Sequence, residues 1–441
     1  MAIVSEITLE SNRNFRIKFD GGNLSSDSGL LLLKEFYHKL GVNALLRKSF
    51  RTTDKSHFRI HKDYENLAQM LYQITASYFQ DDNADALRHD PVITAAIGKD
   101  VLASQPTLSR FHNRMDEVTL KQLETIQRIL RRRVYSVERP QHVLFDLDST
   151  LLATYGKQEG AAFNYHYQAN GYHPLLCFDG MTGDLLKAEL RPGTMYCSNR
   201  AAAFMAPLME EYQINYPDIT LFLRGDSGFA TDELYTLCET NGTSYAIRLK
   251  ENAVLKKLAK ELESELEDMT RENIVSYAVV YGEFFYKAGP WDYPRRVVCK
   301  LEKPYGQMIH TSTFIVTNMD SSPEDIVRFY SKRGNMENFI EECKSGFDMS
   351  YVSSSSQIVN ANRMQIHALA YSLFNWFRRL VLPESLKRDR IDTLRLKLLK
   401  IAARVVRSSR YVYFKLCSSC PFQNEFRQTL CNIRNFFPLL E

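Results

Sequence analysis

No apolar run in this 441-residue sequence approaches the roughly 18–20 residues a membrane span needs, so an integral membrane protein is not expected. Met1 to Asn12 is mixed and strand-like, without the charged-then-apolar order of a secretion leader. A one-sided charge is also missing: 56 basic residues face 52 acidic ones, a net charge of +4, which permits a nucleic-acid partner without demanding one. There is no internal repeat and no low-complexity tract, which excludes solenoids and arrays. A zinc ligand set is absent too. Cys417 and Cys420 form one C-x2-C, but only Cys431 follows and no histidine does. Eight scattered cysteines fit reduced, mostly buried thiols. The ten histidines do not cluster; His166 and His173 flank a Gly-containing turn and read as surface or packing residues.

What is present is a set of acids at the ends of apolar strands. Val143 to Phe145 is an apolar run that leads into Asp146-Leu147-Asp148-Ser149-Thr150. Strand alternation puts Asp146 and Asp148 on one face and Val143, Phe145 and Leu147 on the other. Leu221-Phe222-Leu223-Arg224-Gly225 then delivers Asp226 into a Gly-containing turn. An aspartate there can be a mere turn former or helix cap. A third acid, Glu337, lies in Tyr330-Ser331-Lys332-Arg333-Gly334-Asn335-Met336-Glu337, with Lys344 seven residues on. Within one helix, steps of three, four and seven align Tyr330, Arg333, Glu337 and Lys344 in a stripe. The plain reading of such a stripe is a solvated helix with i,i+4 ion pairs. Taken with the two strands, it suggests three carboxylates converging on two Mg²⁺ ions, while the cations and the phenol hold phosphates.

These residues resemble the DDE transposases of bacterial insertion sequences. The Y-R-E-K spacing marks the branch with a β-rich insertion before the final glutamate. Stretches such as Gly22–Leu32, Gln105–Phe111, Leu190–Gly193 and Tyr245–Lys250 resemble the insertion-sequence thirteen-eighty family more narrowly. The resemblance runs along most of the chain and is weakest after about residue 380. It implies an α/β, RNase H-like catalytic core and DNA strand transfer. It implies two Mg²⁺ ions, with Mn²⁺ as a substitute, held by Asp148, Asp226 and Glu337. Arg333 and Lys344 would position phosphates, and Tyr330 a backbone oxygen. Asp148 is preferred over Asp146 because it directly precedes Ser149-Thr150, as the family's first aspartate commonly does. Glu341 lacks the offset from Tyr330 and Arg333 that Glu337 has.

The expected organisation is a mainly helical DNA-binding or assembly region at 1–140, a first core segment at 141–250 and a β-rich insertion at 251–320. A second core segment at 321–380 carries the signature, and a basic helical region occupies 381–441. Within 251–320 the charged helix Lys256–Glu272 precedes period-two runs at Ile274–Tyr281, Phe284–Tyr286, Arg296–Leu301 and Thr311–Val316. Candidate DNA contacts are Arg110 on a helix starting at Gln105-Pro106, the run Arg131-Arg132-Arg133, and Arg404, Arg407 and Arg410. The resembled branch often stacks insertion aromatics on a flipped base, which makes Trp291 a candidate; a Trp in a Gly/Pro loop also reads as a packing anchor. Residues 378–410 hold eleven Lys or Arg against three acids, a local excess of +8, and the Leu394, Leu398, Ile401 spacing reads as one helical face.

The function expected is a cut-and-paste transposase that binds the inverted repeats of its element. It would cleave phosphodiesters and join 3′-OH ends to double-stranded target DNA, as a homodimer in a bacterial cytoplasm at the nucleoid. The alternatives are an RNase H-like DNA nuclease without joining and a non-catalytic DNA-binding protein derived from a transposase.

Overall fold

The computed structural model describes residues 6–54 and 58–440; the strand-like reading of Met1–Ser5 lies outside them. The chain forms two compact units. One holds the residues up to 138 with 342–351 and 362–441; the other holds 139–341 with 352–361.

The second unit is built on one eight-stranded mixed sheet. Its strands, numbered along the chain, are β1 (His142–Ser149), β2 (Leu175–Asp179), β3 (Leu185–Glu189), β4 (Thr220–Gly225), β5 (Ser244–Leu249), β6 (Ala278–Tyr286), β7 (Arg295–Lys303) and β8 (Thr311–Thr317). Their order across the sheet is β6-β7-β8-β5-β4-β1-β2-β3. Only the β4–β1 and β4–β5 pairs are parallel. Parallel neighbours need crossovers, and the helices Ala201–Asn215, with Pro207 inside it, and Asp232–Thr240 supply them. Val143, Leu144, Phe145 and Leu147 of β1 are all buried, as expected of a strand covered on both faces. Three antiparallel neighbours, β1, β2 and β3, are followed by alternating helix and strand.

The β-rich stretch within 251–320 is continuous with the core sheet. β8 pairs antiparallel with β5, so β6, β7 and β8 extend the core sheet and cover the edge that β5 would leave open. Gly171–Phe178 is not a continuous strand. His173-Pro174 interrupts it, because proline has no N–H for a ladder. Ala169–Tyr172 instead joins a small sheet with Leu152–Ala153 and Ala162–Asn164.

The first unit is largely helical between Leu30 and Tyr135. Its core includes Phe36, Tyr37, Tyr72, Phe347, Phe374 and Phe377, all buried. Gly29 is required by close approach: a Cβ there would lie 1.8 Å from the carbonyl oxygen of Leu398. The 381–441 stretch is not the basic helix expected. A helical turn ends at Leu399, and Ala403–Arg407 and Val412–Leu416 form a hairpin; only Gln423–Arg434 is a further long helix. The Leu394, Leu398 spacing is helical, but alternation takes over at Ala403 and the β-branched valines 405, 406 and 412 favour strand. Among the described residues no helix is long and apolar enough to cross a membrane.

Candidate active site

Strand register brings two of the expected acids together. β1 and β4 pair in parallel through Arg224↔Asp146 and Gly225↔Leu147, so the next residues on the two strands are Asp148 and Asp226. Both leave the carboxyl ends of neighbouring parallel strands, where open α/β sheets form their crevices. Asp226 Oδ1 accepts the Gly228 N–H at 2.9 Å and starts a short 3₁₀ turn, Ser227–Phe229. Asp148 Oδ1 accepts the Ser149 N–H at 2.8 Å, and its Oδ2 lies 2.7 Å from Arg333 Nη2. Burial pushes the Asp148 carboxyl up to about 6. Arg333 opposes that shift and Asp226 adds to it.

The two carboxylates open on a cavity of about 560 Å³ lined also by Tyr167, Tyr196, His166 and Lys250. Tyr167 stacks edge-on between His166 and His173 at 4.7 and 5.7 Å and donates to the Ser149 carbonyl at 3.2 Å. Asn164 holds this wall: its side chain accepts from the His166 and Tyr167 N–H groups and donates to the Gly193 carbonyl at 3.0 Å. Tyr165, 83% exposed, and Tyr196, 61% exposed, present rings to solvent at the lining. Cys197 also lines the cavity, its thiol held above the usual range by burial and by Asp226.

The signature segment is not one helix. Pro323–Ser331 is α-helical, Lys332–Gly334 tightens to 3₁₀, Asn335–Glu341 is α-helical again, and Glu342–Gly346 widens to a π turn. Each change of pitch rotates the residues beyond it, so steps of three, four and seven no longer share one face. Arg333 is directed to Asp148. Tyr330 packs beside Ile326 and Val327 at the sheet, and its hydroxyl is held in the protonated form chiefly by burial. Glu337 is exposed, and among the described residues no three acids, histidines or cysteines gather into a metal-holding group. Lys344 belongs to the other compact unit, and burial lowers its ammonium pKa.

The structure also moves residues off the expected list. Asp146 is no rival metal ligand. It is fully buried, and its two carboxylate oxygens accept Arg224 Nε at 2.7 Å and Nη2 at 2.6 Å. Arg224 Nη1 then donates to the Phe329 carbonyl at 2.6 Å, one residue before Tyr330. Gly180 makes room for this pair: a Cβ there would lie 2.2 Å from Asp146 Oδ2. Trp291 is buried edge-on against Tyr235 and Tyr286, with the Arg295 guanidinium 5.6 Å away, so it anchors packing and presents no face to a base. Arg131 and Arg133 are buried as well; Arg133 donates to the Leu40 and Gly41 carbonyls at 2.9 and 3.1 Å. Arg110 and Arg132 stay exposed.

Arg224 escaped the sequence reading. Its signal was present: Arg224 precedes Asp226 by two, as Asp146 precedes Asp148, and a lone charge inside an apolar strand needs a buried partner. The wall at 163–167 carries no periodicity that could have announced it.

A mixed sheet that places two carboxylates at adjacent parallel strand ends defines an α/β protein with a carboxylate-based site. The chain belongs to the transposase DDE domain group 1 family, whose model matches residues 7–437. Families of this kind are DNA-cleaving transposases that generally use divalent metal ions. No curated protein matches the chain. Among solved structures, a cryo-EM structure of the piggyBac transposase synaptic complex with hairpin DNA is similar over 99% of this chain and 88% of that one, at 12% identity and a TM-score of 0.36.

Proposed function

We propose that this chain binds the terminal inverted repeats of its own element, cleaves DNA at the element ends and joins the freed 3′-OH ends to target DNA by cut and paste. The observation that carries the reading is the parallel register that sets Asp148 beside Asp226 at a cavity mouth. Hard carboxylate oxygens fit Mg²⁺, which takes few carboxylates and completes its shell with water and phosphate oxygens. Asp148 and Asp226 would hold the ions, with Glu337 as the third ligand. When bound, two such ions activate water and stabilise the attacking and leaving oxygens.

The chain's own groups do the rest. Arg333 sets the position of Asp148 and, with Tyr330, faces the reacting phosphate. Lys250 lines the cavity and offers a phosphate contact. The exposed rings of Tyr165 and Tyr196 suit stacking on an unpaired nucleotide. The active form acts on double-stranded DNA as a homodimer.

A joining assay tests the reading. Purified protein, a duplex with a free 3′-OH element end and a supercoiled target plasmid are incubated with Mg²⁺ or Mn²⁺. Joined products support it. Cleavage of a flanked end without joining marks a nuclease. Binding with neither marks a DNA-binding derivative.

A further inference from the structure

The cations of the C-terminal third fall into two groups. Between 378 and 400 at least six of the eight are in ion pairs: Arg378 with Glu342, Arg379 with Glu138, Lys387 with Glu384, Arg395 with Asp392, Lys397 with Asp389 and Lys400 with Asp27. That part of the basic excess holds the fold together. From 403 to 416 the pattern changes. Arg404, Arg407, Arg410 and Lys415 are all exposed, none has an ion-pair partner among the described residues, and the segment contains no acid.

The hairpin register sorts these residues by face. Ala403↔Leu416 and Val405↔Phe414 lie on one face, which is apolar and largely covered. Arg404↔Lys415 and Val406↔Tyr413 lie on the other, which is exposed. Leu24 pairs with Arg404 and, at 57% exposed, extends that open face. Two like charges directly opposite on neighbouring strands repel each other. Among the described residues no ion pair offsets Arg404 against Lys415, so an external anion would relieve their repulsion. Arg407↔Val412 falls on the Ala403/Val405 side but is exposed near the tip, and the tip adds Arg410, with Tyr411 and Tyr413 exposed and their rings 6.0 Å apart.

We propose that the 403–416 hairpin is a DNA-binding ribbon that lies in the major groove of duplex DNA. Arg404, Arg407, Arg410 and Lys415 contact phosphates, and the Val406/Tyr413 face meets base edges. Size favours this groove. Paired strands lie roughly 4.8 Å apart, and a two-stranded ribbon enters a groove about 12 Å wide but not one about 6 Å wide. The choice of DNA as the polyanion rests on the transposase reading; the exposed, unpaired cations stand independently of it.

Equilibrium binding of the full-length chain to a duplex of about 30 bp, titrated from about 50 to 300 mM KCl, tests the proposal without any cleavage step. Each phosphate contact contributes about −0.9 to the slope of log K against log salt, so R404Q/R407Q/R410Q/K415Q should flatten it by about 3.6. The same variant should bind at least about tenfold more weakly at 150 mM KCl. R404K/R407K/R410K should retain the slope, because a point charge suffices at a phosphate. Methylation of guanine N7 by dimethyl sulfate reads the major groove directly. Wild-type protein should protect it, and Tyr413→Ala should weaken that protection. An unchanged slope with a Kd within about twofold overturns the ribbon. So does retained phosphate binding with guanine N7 equally reactive in the presence and absence of the wild-type chain. The substitutions lie at exposed positions, so an unfolding midpoint at or above that of the wild type is expected. Duplex binding by a wild-type chain that never cleaves counts against the transposase reading alone.

Discussion

Asp146 and Asp148 stand two residues apart on one strand, and each meets an arginine. The Asp146–Arg224 pair is closed: both side chains are buried, the contact is bidentate, and the third arm of the guanidinium ends on the Phe329 carbonyl. Bidentate, charge-assisted contacts of this kind fix geometry strongly. The Asp148–Arg333 pair is open. Its contact is at 2.7 Å through Nη2, Arg333 Nε is buried with no hydrogen-bond partner among the described residues, and Asp148 faces the cavity. Position along the strand decides the difference. Asp146 lies where neighbouring strands still cover it, whereas at Asp148 the β4 ladder has ended. The closed pair joins the sheet to the residue before Tyr330; the open pair can exchange its partner.

The comparison breaks first through stability. Removing one member of a buried pair leaves the other charge uncompensated and costs about 3–5 kcal/mol. Asp146→Ala and Arg224→Ala should each shift urea unfolding by that much. Asp146→Leu with Arg224→Met should cost markedly less than either single change, since apolar replacements restore packing. A double variant as unstable as the sum of the singles would show that the two side chains do not act as a pair.

The next effect is pH-dependent. In the folded chain Asp148 keeps its proton to about 6, against an ordinary value of 3.8. Between those values the native state binds more protons than the unfolded one, so this group lowers stability as pH rises from about 4 to 6, by up to about 3 kcal/mol. Buried Asp179, also held at about 6, pushes the same way, so the informative quantity is a difference. Asp148→Asn should flatten the pH slope relative to wild type in metal-free urea titrations. Parallel slopes would mean that Asp148 is not desolvated.

A smaller effect separates the arginines. Arg333→Lys keeps the charge and loses the fork, and should slow single-turnover cleavage about tenfold, or about 1.4 kcal/mol in the barrier, with little change in stability. Arg224→Lys should do the reverse, lowering stability first. Tyr330→Phe should cost about 1–2 kcal/mol in the barrier. Wild-type rates for Arg333→Lys and Tyr330→Phe would leave the segment a structural helix.

The strands bearing Asp148 and Asp226 were legible because an apolar run that ends in an acid is a local signal. Their adjacency was not, since register between β1 and β4 is a long-range property. The signature stripe assumed one pitch throughout, and the 3₁₀ turn at Lys332–Gly334 and the π turn at Glu342–Gly346 break it. The run at 131–133 looked like a basic patch because sequence shows charge but not burial; Arg131 and Arg133 point inward. At Arg404 the charge excess is visible in the sequence, while the period-two valines beside it mark strand rather than helix.

The central claim is that Asp148 and Asp226 form the reactive pair. Single-turnover cleavage of a flanked element end by folded Asp148→Asn and Asp226→Asn, with Mg²⁺ present and duplex binding measured alongside, tests it most directly. Each variant should bind the end as wild type does and lose at least about a hundredfold in cleavage rate, more than about 2.7 kcal/mol in the barrier. Cleavage by either variant at more than about a tenth of the wild-type rate would contradict the assignment.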